Sequence, residues 1–231
     1  MPRALIVLAV LVLGACAPAQ MRLPASLAQA SVRTDVVGIG GLPGGRFTAG
    51  EYSGTFERSL DRWSFGEAVA RRGHSDFTIA GPQVSSTIEA RCDMRENAVD
   101  LGLAEMTVQP MAYRCDFAAE GRPIPARFEL QEIIGGGTAI TRSERHGEIA
   151  LGGETVRFRS VHHIAGTPMP SLTPVGYVFE QGGREIGALE LTGRPSLMLS
   201  TPLDPGVART VTVAAVALAT FWDPAVHDLG M

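Results

Sequence analysis

Residues 211–222 read VTVAAVALATFW, an apolar run interrupted only by two threonines. As a helix this run is apolar on every face, and such a helix must be buried on all sides. Twelve residues at helical rise are also too short to cross a bilayer core. The rest of the chain must therefore wrap around it. The boundaries are marked: Asp204 can cap free N–H groups, Pro205 fits the first helical position, and Asp223-Pro224 ends the run. A helix over about 205–222 follows. A strand over 210–213 is the competing reading, which the alanine content disfavours.

What precedes the helix has β texture. Short runs rich in Val, Ile, Thr, Phe and Tyr alternate with Gly, Pro and Asn signals. Candidate strands cover 47–58, 76–80, 85–92, 99–103, 111–117, 126–133, 155–164, 176–181, 184–191 and 196–200. Segments 138–145 and 148–151 are read as pairing across His146-Gly147. Gly182-Gly183 is read as a two-residue hairpin loop, because glycine accepts positive φ at both turn positions. Residues 61–72 fit either a short helix or a broken strand.

Many antiparallel strands followed by one wholly apolar helix predict a mainly β fold. It would be an antiparallel barrel or strongly curved sheet packed around the C-terminal helix, which buries the helix and removes sheet edges. The strand count, the hairpin that opens Gly176-Tyr177-Val178-Phe179, and the terminal alanine-rich run resemble the tubby C-terminal and LURP-like (scramblase-like) group. The resemblance covers about 47–224 and implies a barrel enclosing a hydrophobic helix. Some members of that group bind phosphoinositide head groups through Lys and Arg. This chain has no lysine and a net charge of −4, so that activity is not carried over. The acidic balance also argues against nucleic acid as a partner.

The N-terminus carries a separate message. Arg3 precedes an uncharged apolar run over 4–13, about half a bilayer core in length, and then Leu13-Gly14-Ala15-Cys16. This resembles the signal peptide and lipobox of bacterial lipoproteins. The resemblance implies cleavage after residue 15 and acylation of Cys16, anchoring the chain to the membrane through three acyl chains, where two already suffice for stable binding. Ala17, in place of Asp, resembles the class sorted to the periplasmic face of the outer membrane. Residues 16–34, rich in Ala, Pro, Gln and Ser, read as a lipidated end and flexible tether, with a helical turn around 23–30 as the alternative for that part. Residues 35–231 read as one β-rich domain.

Export places Cys92 and Cys115 in an oxidising compartment, which predicts a disulfide; two buried free thiols are the alternative. Catalytic signatures are sparse. There is no G-x-S-x-G, H-E-x-x-H or P-loop, and the glycine-rich stretch over 37–45 contains Pro43 where a nucleotide fingerprint needs a helix. In His162-His163, strand neighbours point to opposite faces, so one buried and one exposed histidine is expected rather than a metal pair. His146-Gly147-Glu148 has the H-x-E of zinc deaminases without its P-C-x-x-C partner. No catalytic residue, cofactor or metal site is assigned. The reading is a lipid-anchored, non-catalytic envelope module, with a protein or cell-wall partner. One alternative is a carrier of a small apolar ligand in a barrel cavity, which requires the helix to pack outside the barrel. A second is a hydrolase whose residues converge from distant loops.

The lipobox is directly testable. Cys16→Ser should abolish incorporation of a labelled fatty-acid analogue and leave unprocessed precursor or released protein; equal labelling of the variant would reject the lipidation site.

Overall fold

The computed structural model describes residues 19–102, 105–133 and 143–227. The signal segment, Cys16 and part of the strand expected over 138–145 lie outside the described residues. The first elements are α1 (Ala25–Gln29), β1 (Ser31–Val37), β2 (Gly44–Ala49) and β3 (Tyr52–Phe65). Then come β4 (Ala68–Ile79), β5 (Ile88–Asp100), β6 (Glu105–Ala119), β7 (Arg122–Ile133) and β8 (Glu144–Leu151). The chain continues through β9 (Glu154–Val161), β10 (Gly176–Gln181), β11 (Arg184–Glu190) and β12 (Ser196–Ser200) to α2 (Pro205–Thr220) and α3 (Pro224–His227). Each strand pairs antiparallel with the next, and β1 pairs with β12, closing a twelve-stranded barrel.

Helix α2 runs through the bore. Every residue from Thr210 to Thr220 is buried, so no face of the helix meets solvent. An eight-stranded barrel is filled by side chains alone; twelve strands leave a wider bore, which a helix about 10 Å across can occupy. Ala214, Ala215, Ala217 and Ala219 keep the helix slim, while Phe47, Phe77, Phe128, Phe158 and Phe179 supply bulk from the wall. The buried hydroxyls are satisfied within the helix: Thr212 Oγ1 donates to Ala208 O (2.8 Å) and Thr220 Oγ1 to Val216 O (2.9 Å). Asp204 caps the start, accepting from the N–H groups of Gly206 (2.7 Å) and Val207 (3.2 Å). Pro205–His227 is long and apolar enough to cross a membrane by composition, but the barrel encloses most of it.

Alternation ties each strand to this core. β5 buries Ile88, Ala90, Cys92 and Met94 at every second position. β10 to β12 instead read as near-continuous apolar runs because both faces are covered. Val178, Ala188 and Met198 point outward and pack with Met21 and Leu27 of the N-terminal segment.

That packing corrects the tether. Within residues 21–34, Met21 bridges Ile164, α1 lies against β11 and β12, and β1 closes the barrel. The segment has little hydrophobic period because its order comes from backbone pairing with β12 and from a few buried contacts. The buried Glu190 carboxylate accepts the Met21 N–H (2.7 Å) and pairs with Arg33 (3.0 Å).

Other boundaries also change, beginning with the strands expected over 85–92 and 99–103, which are the single strand β5. The 47–58 strand is two strands, divided at Gly50, whose φ is +63°. The ambiguous 61–72 segment is the tip of a hairpin: β3 runs to Phe65, turns at Gly66 (φ +59°), and returns as β4. His146-Gly147 is not a turn but the interior of β8. A Cβ on Gly147 would lie 2.3 Å from both Glu129 O and the Phe158 ring, so glycine is needed there for close approach, not for reversal. Gly182 and Gly183 do form the expected hairpin loop, with φ of +59° and +77°.

Cys92 and Cys115 are bonded across directly paired positions of β5 and β6. With a sequence separation of 23, loss of this link should lower stability by about 3 kcal/mol on chain-entropy grounds. Urea unfolding of a Cys92→Ala/Cys115→Ala variant measures it. For the helix, Leu218→Ala should cost about 2–5 kcal/mol and Val216→Asp more, since it buries an unpaired charge. An aspartate scan over 211–221 read by thermal unfolding should find no tolerant face; a tolerant face every three to four residues would contradict central burial.

Candidate ligand site at the barrel mouth

Helix α2 fills the middle of the barrel but not its ends. Odd-numbered strands run toward the end where α2 finishes, here called the mouth. Loops 38–43, 66–67, 162–175 and 191–195 lie there. Between the helix terminus and three of these loops is a cavity of about 330 Å³. This is at the small end of the range for ligand clefts, about 300–1,000 Å³. Ile39, Val175, Tyr177 and Leu191 form apolar walls, and Leu218 and Phe221 form the floor.

Two buried arginines hold the helix terminus from strands five places apart around the ring. Arg145 on β8 is 1% exposed. It forms a two-pronged ion pair with Asp223: Nη2 donates to Oδ1 at 2.8 Å, and Nη1 to Oδ2. Burial works against its charge, but the Asp223 carboxylate more than offsets this and holds the guanidinium pKa above its usual value. Asp223 also accepts the Ala225 N–H, fixing the chain as it leaves α2.

Arg58 on β3 is 5% exposed and differs in kind. Nε donates to Leu42 O (3.1 Å), Nη1 to Ala219 O and Thr220 O (3.4 Å each), and Nη2 to Gly40 O. Its guanidinium lies 4.9 Å from the Trp222 ring centroid. Among the described residues no carboxylate lies within ion-pair distance of it. The last helical carbonyls carry the negative end of the helix dipole, so Arg58 acts as a cationic C-cap. Burial pulls its pKa below the usual arginine value. It also lines the cavity.

Tyr177 and Tyr113 complete the terminus. The Tyr113 hydroxyl donates to Ala217 O (3.2 Å), and its ring stacks on Phe221 at 4.5 Å. Burial pushes the Tyr177 phenol up to about 12, against the pull of Arg145. Both phenols stay protonated near neutral pH; Tyr113 donates to the helix terminus, and Tyr177 accepts from the Arg145 guanidinium.

His162 and His163 follow the end of β9 rather than lie within it, so the strand alternation expected for them does not apply. His162 is buried and His163 half-buried. His162 Nε2 lies 3.0 Å from Ser160 Oγ, and its Nδ1 lies 3.1 Å from Ser171 O. Ser160 Oγ also accepts the Arg145 backbone N–H at 2.9 Å. This serine–histidine pair ties β8, β9 and the 162–175 loop together and does not line the cavity. His146 is on the outer part of β8, away from it. Among the described residues no three His, Cys, Asp or Glu side chains gather into a metal-binding group.

Sequence reasoning placed the disulfide but not this site. Arg58 and Arg145 sit in alternating strands, where a lone arginine reads as a solvated side chain. A partial signal was available: each occupies a position with the parity of buried apolar neighbours, Arg58 with Phe56 and Arg145 with Ile149 and Leu151. Cys16 lies outside the described residues. Comparison of the chain with protein-family models, curated proteins and solved structures finds no match.

Proposed function

We infer that this protein is a lipid-anchored envelope lipoprotein that works by binding rather than by catalysis, and that the barrel mouth holds a small, largely apolar ligand. The observation that carries this reading is the cavity between Tyr177, Leu191, Leu218 and Arg58. Its walls are apolar, and its one cation without a carboxylate partner among the described residues is Arg58. That pairing suits a short acyl chain or similar body with an anionic head. A carrier holding its ligand in the centre of the barrel would need α2 to lie outside, and it does not. The ligand-holding alternative therefore moves from the bore to the mouth.

The lipidated Cys16 places the binding end in the envelope, and a periplasmic location follows from the signal segment. The interaction-module reading, with an envelope protein or cell-wall partner, uses the same mouth loops, because the closed wall and plugged bore leave loops as the adaptable surface. Ligand binding separates the two.

An environment-sensitive apolar dye, N-phenylnaphthylamine, should brighten on the purified protein and be displaced by dodecanoate. Thr173 lines the cavity from a loop and is only partly buried, so Thr173→Trp should fill the space without touching the core. Dodecanoate affinity should fall about tenfold or more, equivalent to about 1.4 kcal/mol. Unchanged displacement in Thr173→Trp, or no dye signal with the parent chain, would favour the interaction module instead.

A further inference from the structure

The exposed large apolar side chains are not scattered. Among the described residues, Val37, Leu42, Trp63, Phe65, Leu101, Met106, Val108, Ile133, Met169, Leu172 and Val226 all lie at the mouth end, and only Val32 does not. Single exposed apolar residues need no explanation; a cluster at one end of a barrel does. β3 to β6 are 12–15 residues long, against 5–8 for β8 to β12, and their hairpins carry apolar tips. Register sets Phe65, Ala68, Val99 and Met106 side by side across four strands at the tip, with Trp63 one step behind on the same face. Phe65 is 91% exposed and Trp63 70%. Neither contributes to the core, so folding does not account for them. Some of the charges nearby are paired, Arg62 with Glu105 (2.8 Å), and Arg71 with Glu96 (3.3 Å) and Glu105 (2.5 Å), while the exposed Asp61 and Glu67 have no ion-pair partner among the described residues.

The N-terminal chain reaches the domain at this same end. Gln20 O accepts the Ala165 N–H at 2.7 Å, Met21 bridges Ile164, and Arg22 N–H donates to His163 O at 2.8 Å. Gln20 is four Cα–Cα steps from Cys16, a reach of at most about 14 Å fully extended. An acylated Cys16 therefore cannot hold the mouth far from the bilayer surface.

We propose that the mouth rim is a membrane-docking face: the Trp63/Phe65 hairpin tip and the 165–173 loop enter the phospholipid interface, and the cavity opens toward the bilayer. The partner is the phospholipid surface itself. A tryptophan beside a protruding phenylalanine suits the boundary between headgroups and acyl chains, with Asp61 and Glu67 facing the headgroups. The acyl anchor supplies affinity and the rim supplies orientation. The ligand of the mouth cavity is then drawn from lipid rather than from the aqueous phase. This last step rests on the ligand-binding reading above, and the anchor on Cys16; the docking face rests on neither alone.

The chain has two tryptophans, and Trp63 is at the tip. Protein purified from the envelope is reconstituted with phosphatidylethanolamine–phosphatidylglycerol vesicles carrying brominated acyl chains. Flotation reports anchoring, and bromine quenching reports docking; Trp63→Phe isolates the emission of Trp222. Trp63 emission should be lost in brominated but not in plain vesicles. In a mature chain carrying Cys16→Ser and lacking acyl groups, vesicle partitioning should weaken but persist at high lipid, with Trp63 still quenched. In that chain Phe65→Asp should lower partitioning about tenfold or more, with unfolding unchanged because the side chain is exposed. Flotation without quenching of Trp63 overturns the docking face and leaves the anchor intact. Absence of flotation with persistent quenching overturns the anchor and leaves the docking face. Dodecanoate displacement in solution decides the cavity independently of either.

Discussion

The enclosure of α2 is the contact on which the rest of the molecule depends. An Ala/Val helix with no polar face has no stable existence in water, and a twelve-stranded ring with an empty bore has no core. Each supplies what the other lacks. Burying one Val or Leu side chain is worth roughly 1.5–3 kcal/mol, so the run from Val211 to Leu218 is a large share of the favourable term. The contacts that realise it are remote in sequence: Ser31 pairs with Ser200 to close the ring, and α2 follows only after β12. No partial barrel buries the helix on all sides, so the N-terminal strand, the ring and the helix stand or fall together.

The same arrangement makes the two ends of the barrel different. At the start of α2 the free N–H groups meet Asp204, and Arg209 reaches Gln83 O (3.1 Å) and Leu151 O (3.3 Å). That end is tied to the 80–87 loop and to the β8–β9 hairpin. At the other end the helix stops inside the ring, and its terminal carbonyls would be buried without partners. Arg58 and Tyr113 answer them, and Arg145 fixes Asp223 beyond. A helix that ends below the rim leaves a space above it. The cavity is thus a by-product of helix length, and its polar atoms are there to end a helix before they are there to meet a ligand.

Much of this was legible because it is local. The cap at Asp204-Pro205, the Gly182-Gly183 loop and the alternation through Cys92 and Cys115 each follow from residues close in sequence. The all-apolar helix gave the architecture, because a helix without a polar face admits few environments. What was not legible is non-local. β1 has weak alternation and is a strand because β12 offers it a free edge. Gly147 looks like a turn residue until the Phe158 ring beside it is known. Arg58 and Arg145 look like surface cations until the helix terminus is placed between them. The outer faces of β10 to β12 are apolar because residues 21–30 cover them, and that cover was read as a tether.

Replacing the tether with a docked segment changes where function can act. A long flexible linker would let the domain sample any orientation, and its apolar tips would mean little for a membrane. A chain that is hydrogen-bonded to the domain at Gln20 and Arg22 and enters beside the mouth loops removes that freedom. A single acyl chain gives marginal binding and several give a firm anchor, so with the proposed acylation of Cys16 affinity would need nothing from the domain. On the proposed anchor, exposed aromatic tips at Trp63 and Phe65 would serve geometry: they would set which end of the barrel faces lipid. Because the cavity above the α2 terminus lies at that end, orientation and access to ligand would, on the proposed reading, be one property of the fold, set by where the N-terminal segment pairs with the 162–175 loop.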